Sequence, residues 1–157
     1  MTINPDLQGR NYPAQEVYDV GREKIREFAR AVKATHPAHF DVDAAKALGH
    51  SDLVAPPTFA IIVAQRADAQ LVEDPDSGID FSRVVHADQR FVHHRPIFAG
   101  DRLVAELHVD GVRAMGGGAM ITTRSEIFAL APVDGAATER EAVATATSSI
   151  LVRGEGQ

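Results

Sequence analysis

The spacing of hydrophobic positions changes near the middle of the chain. In "GREKIREFARAVKA" (21–34), Ile25, Phe28, Ala29 and Val32 recur at i, i+3, i+4 and i+7, which is the single apolar stripe of an amphipathic helix. "DVDAAKALGH" (41–50) reads as a short second helix, with Asp41 as its N-cap and Gly49 as its stop. A third helix is expected in "APPTFAIIVAQRADAQLVED" (55–74). Pro56-Pro57 suits a first turn, and the run is apolar on nearly every side as far as Val63, which predicts a helix buried in the domain. Asp74-Pro75-Asp76-Ser77-Gly78 ends it with helix breakers.

Beyond residue 83 the period falls to two. "RVVHADQRFVHHRPI", "DRLVAELHVDGVRA", "GGGAMITTRSEIFAL" and "EAVATATSSILVRG" are β-branched or alternating and predict four long strands. Gly116-Gly117-Gly118 between two of them reads as a hairpin connection, because a phosphate-cradling loop would have to lead from a strand into a helix. "APVDGAATEREA" (131–142) reads as a polar loop before the last strand. Helices followed by an antiparallel meander give an α+β class, and the simplest packing wraps the meander around the apolar helix.

Composition narrows the chemistry. At 157 residues the chain is the size of one domain, taken as 1–157. Sixteen Lys and Arg against twenty-two Asp and Glu give a net charge of −6, without the basic excess of a nucleic-acid binder. No run approaches the ~18 uninterrupted apolar residues of a membrane span, and the first twenty residues hold no signal-peptide core. The absence of cysteine removes thiolate metal sites and Cys nucleophiles and suits a reducing cytoplasm. No nucleophile elbow, P-loop or dinucleotide fingerprint occurs, so neither a cofactor nor Ser-hydrolase chemistry is expected. Seven histidines invite a metal site, yet the proline in "HPAH" prevents a regular helical presentation of His36 and His39, and no metal is expected.

"HPAHFD", "ALGHSDLVAPPTF" and "ADQRFVHHRPIFAGDRL" together resemble the MaoC-like dehydratase/hydratase family, specifically its N-terminal-type subgroup, over about Val17 to Val152. The resemblance implies a hot-dog fold, an antiparallel sheet wrapped around a central apolar helix. It also implies (R)-specific hydration of 2-enoyl thioesters, or dehydration of 3-hydroxyacyl thioesters, carried on coenzyme A or acyl carrier protein. The family loop runs roughly Asp-x-Asn-Pro-x-His. Its Asp and His hold the reacting water, and a backbone N–H at the start of the central helix receives the thioester oxygen. Its His falls on His39, its Pro on Pro37, its Asn on His36 and its Asp on Ala34, while the glycine before the helix falls on Pro57. His39 is then the expected acid/base, with His36 as a second imidazole in the same loop. Any oxyanion donor shifts to Thr58 or Phe59, because proline has no N–H.

Three readings stay open, the last being an acyl-thioester sensor without turnover that shares the same pocket. In the first, the chain is a homodimeric hydratase or dehydratase acting through His39. In the second, it is a non-catalytic, acyl-binding subunit beside a second MaoC-like chain, as the resemblance to actinobacterial dehydratase subunits implies. Either way an exposed sheet edge favours a dimer. Arg95, Arg102 and Arg113 are candidates for phosphate contacts with the carrier, and Asp88 and Gln89 for an acid/amide pair or a subunit contact.

Overall fold

The computed structural model describes residues 2–14, 16–131 and 139–156. Two short strands come first, β1 (Asn11–Tyr12) and β2 (Tyr18–Asp19), followed by helix α1 (Arg22–Ala31). The predicted stripe buries Ile25 and Ala29, but the helix ends before Val32, which is exposed beside Lys33 in the left-handed region at φ 59°. Helix α2 (Val42–Ala47) is capped by Asp41, whose carboxylate accepts from the Asp43 and Ala44 N–H groups, and Gly49 at φ 90° follows it. A 3-10 turn, Pro57–Ala60, leads into α3 (Ile61–Glu73).

The four expected long strands are β3 (Val84–His93), β4 (Arg102–Met115), β5 (Gly118–Leu130) and β6 (Arg140–Val152). The β4–β5 hairpin closes through Gly116 and Gly117 at φ 56° and 84°, the pair of positive φ values that a two-residue turn of matching twist requires. Gly118 is also needed for space, since a Cβ there would lie 2.0 Å from the Val152 carbonyl oxygen. The loop expected over 131–142 falls largely outside the described residues.

All pairing is antiparallel, but the sheet is not the simple meander expected. Its order is β1-β4-β5-β6-β3, with β2 also on β4. The chain leaves β3 and crosses to β4, and β6 returns to pair with β3 over Val84↔Val152 through His93↔Ala144. Strand alternation sets which face is buried without fixing which strand is the neighbour, so this return was not predictable from pattern alone. β3 forms one edge, and among the described residues nothing pairs along its outer side.

α3 packs on β4, β5 and β1, burying Val63, Ala64, Ala67 and Leu71. These join Leu103, Leu107, Ile121, Ile127 and Val143 in one core, with Phe59 fully buried against Tyr18 and Phe28. The helix is not enclosed on all sides. Gln65, Arg66 and Glu73 are exposed, and the apolar run up to Val63 is followed by a two-faced helix. Beyond its last turn, Asp74 accepts from Arg10 and Tyr12, anchoring it to the β1 region. No helix among the described residues is long and apolar enough to cross a membrane.

Candidate active site

The "HPAH" loop forms a 3-10 turn, Pro37–His39. His36 caps it, with its Nδ1 accepting the Ala38 N–H at 3.1 Å and its ring exposed. That bond makes the His36 imidazole a structural cap as well as a candidate base. His39 is half-buried, and its Nδ1 lies 2.6 Å from the Val54 carbonyl oxygen. A carbonyl only accepts, so Nδ1 carries the proton and Nε2 keeps a lone pair. This is the tautomer a general base uses. The Val54 N–H donates in turn to Ala38 O at 3.1 Å, so the loop and the segment entering α3 are joined by two bonds. That pairing sets His39 beside Val54, which precedes Thr58 by four residues in the chain.

The same segment is pinned from its other side. Ala55 N–H donates to Ile97 O at 2.8 Å, and Ala99 N–H donates to Leu53 O at 2.9 Å. Thus the two motifs of the sequence, "HPAH" and "RPIFAGD", meet at Leu53–Ala55. The second motif is held by Arg95, which pairs with both Asp101 oxygens at 2.8 and 3.0 Å, while Asp101 also accepts the Phe98 N–H at 2.9 Å. Arg95 also meets Glu141 at 3.1 Å, and this carboxylate environment raises its pKa further. On the α1 side, Arg22 grips Asp52 at 2.8 Å, and that hydrogen bond holds the Asp52 carboxyl below its usual range. Of the arginines suggested for phosphate contacts, Arg95 and Arg102 are in ion pairs, the latter with Asp19 at 3.7 Å, whereas Arg113 lies exposed on β4.

At the start of the helix, Pro56 and Pro57 bring no N–H, and Phe59 gives its own to Pro56 O at 2.9 Å. Phe59 is wholly committed to the core. Among the described residues the Thr58 N–H meets no acceptor and no side chain caps the turn, so of the two expected oxyanion donors only Thr58 has an open one. What is missing is an acid. Ala34 stands where the family carries Asp, and among the described residues no carboxylate bonds or pairs with His39.

A carboxylate does appear farther along α3, where sequence reading did not seek one. Asp68 Oδ1 accepts from Thr123 Oγ1 at 3.0 Å, and burial pushes its pKa up to about 6 against the pull of that hydroxyl and of His86. Thr123 pairs in register with Ser148, and Ser148 with Gln89. The Ser148 hydroxyl donates to Gln89 Oε1, and His86 Nε2 lies 3.1 Å from the same oxygen. The sequence signals were present. Asp68 falls at the 64, 67, 68, 71 spacing of the buried helix stripe, and Thr123 and Ser148 occupy inward positions of their strands.

Known proteins share this arrangement of helix, loops and sheet. A family model described as "FAS1-like, dehydratase domain region" matches residues 6–130. A UPF0336 protein of Clavibacter michiganensis subsp. michiganensis is 52% identical over 155 residues, covering 99% of each chain. The structure is also similar to a chain of the C-terminally truncated HadBC (3R-hydroxyacyl-ACP dehydratase) complex of Mycobacterium tuberculosis. That match has a TM-score of 0.78 and 38% identity, over 93% of this chain and 97% of that one. A solved MaoC-like dehydratase matches with a TM-score of 0.80 and 33% identity, over 94% of this chain but 42% of that longer one. The sheet laid over α3 is the hot-dog arrangement. With its loops knit as the two motifs require and the family model spanning most of its length, the chain belongs to the FAS1-like dehydratase-region family and is MaoC-like.

Proposed function

We propose that this chain is the acyl-holding member of a two-chain 3-hydroxyacyl thioester dehydratase, in which a second MaoC-like chain supplies the Asp/His pair. One observation carries the reading: the ring of His39 is tied to a backbone carbonyl, and Ala34 leaves it without the carboxylate that would orient and charge-stabilise an imidazolium. The scaffold around that gap is intact, including both loop pairings and the Thr58 N–H. An edge strand of ten residues, β3, offers the second chain a place to extend the sheet. The thioester, on coenzyme A or acyl carrier protein, would lie at the start of α3 with its chain directed along the helix. The absence of cysteine suits action in the cytoplasm.

The second reading, a homodimeric (R)-specific hydratase, is favoured by the lone pair that the Val54 bond leaves on His39 Nε2. Hydration of crotonyl-coenzyme A separates the two. For the two-chain reading, the protein alone is inactive, co-expression with a second MaoC-like chain gives activity, and His39→Ala leaves the activity of that assembly in place. Turnover by the protein alone that His39→Ala abolishes would establish the homodimeric enzyme instead.

A further inference from the structure

The inner face of the sheet is apolar except at one place. Of the four buried polar residues among those described, Ser77, Thr123, Ser125 and Ser148, the last three are neighbours on β5 and β6. Burying hydroxyls in a core is unfavourable unless they are bonded. Here two of them bond outward, to side chains arriving from opposite sides. Thr123 orients Asp68 from α3, and Ser148 orients Gln89 from β3. Thr123 and Ser148 face each other in register, so the carboxyl and the amide stand over one hydroxyl pair. His86 reaches the same row across the β-bulge that shifts register between His86 and Asp88. Asp68 and Gln89 are half-buried and His86 is exposed, so the row opens along the β3 side of α3. The turn Pro57–Ala60, which carries Thr58, also touches β3, the strand that carries Gln89.

The bonds already made determine what the row can still bind. Ser148 and His86 both donate to Gln89 Oε1, which leaves the Gln89 amide nitrogen with an N–H to spare beyond its long contact to Arg90 O. Thr123 fills one Asp68 oxygen, and the other has no partner among the described residues. One donor and one acceptor remain, the pattern that an alcohol completes by accepting from one and donating to the other. A ketone would satisfy only the amide, and an alkyl chain neither.

We propose that Asp68 and Gln89, held by Thr123 and Ser148, form a binding site for a hydroxyl group borne partway along the acyl chain. This rests on the acyl-holding role given above, which sets the thioester at Thr58. Thr58 and Asp68 are ten positions apart, about 15 Å along a helix. An extended chain advances about 1.2 Å per bond, as a polypeptide does over three bonds per residue, so the row meets the chain about twelve bonds from its thioester carbon. Asp68 and Gln89 are therefore specificity-determining residues, remote from the reacting atoms.

The test compares stearoyl-coenzyme A with the same thioester bearing a hydroxyl on its twelfth carbon, by calorimetric titration of the protein alone and of its assembly with the second chain. The hydroxylated ligand is expected to bind roughly tenfold more tightly, as one charge-assisted hydrogen bond allows. Asp68→Leu, and independently Gln89→Leu, should bring the two ligands to equal affinity, with circular dichroism reporting that each variant is folded. Gln89 lies on the edge strand, so its variant serves if Asp68→Leu does not fold. Equal binding of the two ligands by the wild type, or a preference that survives in both variants, overturns the hydroxyl site and leaves the acyl-holding role standing. Failure of both ligands to bind overturns both.

Discussion

The start of α3 and its middle handle polar groups in opposite ways. At the start, His36 and His39 are bound to the backbone, one capping a turn and one holding Val54, and the position expected to bear an acid is Ala34. Midway, an acid is present, set over two buried hydroxyls in a part of the fold that otherwise contains aliphatic side chains. The start holds two imidazoles, with no carboxylate bonded to either among the described residues. The middle has an acid, with partners that suit recognition rather than proton transfer. In this chain buried polar side chains gather midway along α3, while the loops at its start are held by backbone pairs together with the Arg95–Asp101 and Arg22–Asp52 bonds.

The largest expected effect tests that scaffold. Asp101→Ala removes two guanidinium bonds and the Phe98 N–H acceptor at once and leaves the largely buried Arg95 with Glu141 as its one carboxylate, so urea unfolding should show a loss of about 3 kcal/mol. A loss below about 1 kcal/mol would mean that the loop is held by its backbone pairs alone. Restoring the acid addresses the reaction end directly. Ala34→Asp with His36→Asn should give the protein without a partner measurable crotonyl-coenzyme A hydration, roughly a hundredfold above the uncatalysed background. No gain would show that more than the carboxylate has been lost.

The middle region predicts a pH dependence. Asp68 has a folded pKa of about 6, above its unfolded value near 3.8, so the folded state holds the proton more tightly. The contribution of Asp68 to stability is therefore greatest below about pH 4, declines as pH rises through 6, and levels off above it, with a total cost of about 2–3 kcal/mol. Asp68→Asn should raise the melting temperature at pH 8, by an amount matching about 2 kcal/mol, and change little at pH 4. A variant equally stabilised at both pH values would show that ionisation is not the cause. The smallest effect returns to the first loop. His39→Ala deletes the bond to Val54 O and should cost about 1 kcal/mol in stability, since the Ala38–Val54 backbone bond remains. A much larger loss would make His39 a structural residue first.

Much of the secondary structure was legible because it is local. Ile25 and Ala29 mark a helix face, Asp41 caps a helix through its own neighbours, and the inward residues of β4 and β5 alternate as period two demands. The short strands β1 and β2 were missed, since two residues carry no period. The two faces of α3 were misjudged, because the apolar run to Val63 masked the exposed Gln65 and Arg66 that follow it. In the candidate site, "HPAH" and "RPIFAGD" were both visible as motifs, and Gln89 was noticed. Their meeting at Leu53–Ala55 was not visible, nor was the pairing of Gln89 with Ser148, fifty-nine residues away.

By itself the sequence determined the α+β class, the hairpin at Gly116-Gly117 and the loop that carries His39. These depend on residue type, short-range spacing and a motif within one segment. The tertiary structure alone decided that β6 returns to β3, that Val54 fixes the His39 tautomer, and that Asp68 meets Thr123. The physical reason is that hydrogen bonds and burial are set by whichever groups the folded chain brings within a few ångströms. Alternation fixes the face on which a side chain stands but leaves open which distant strand or helix comes to lie against it.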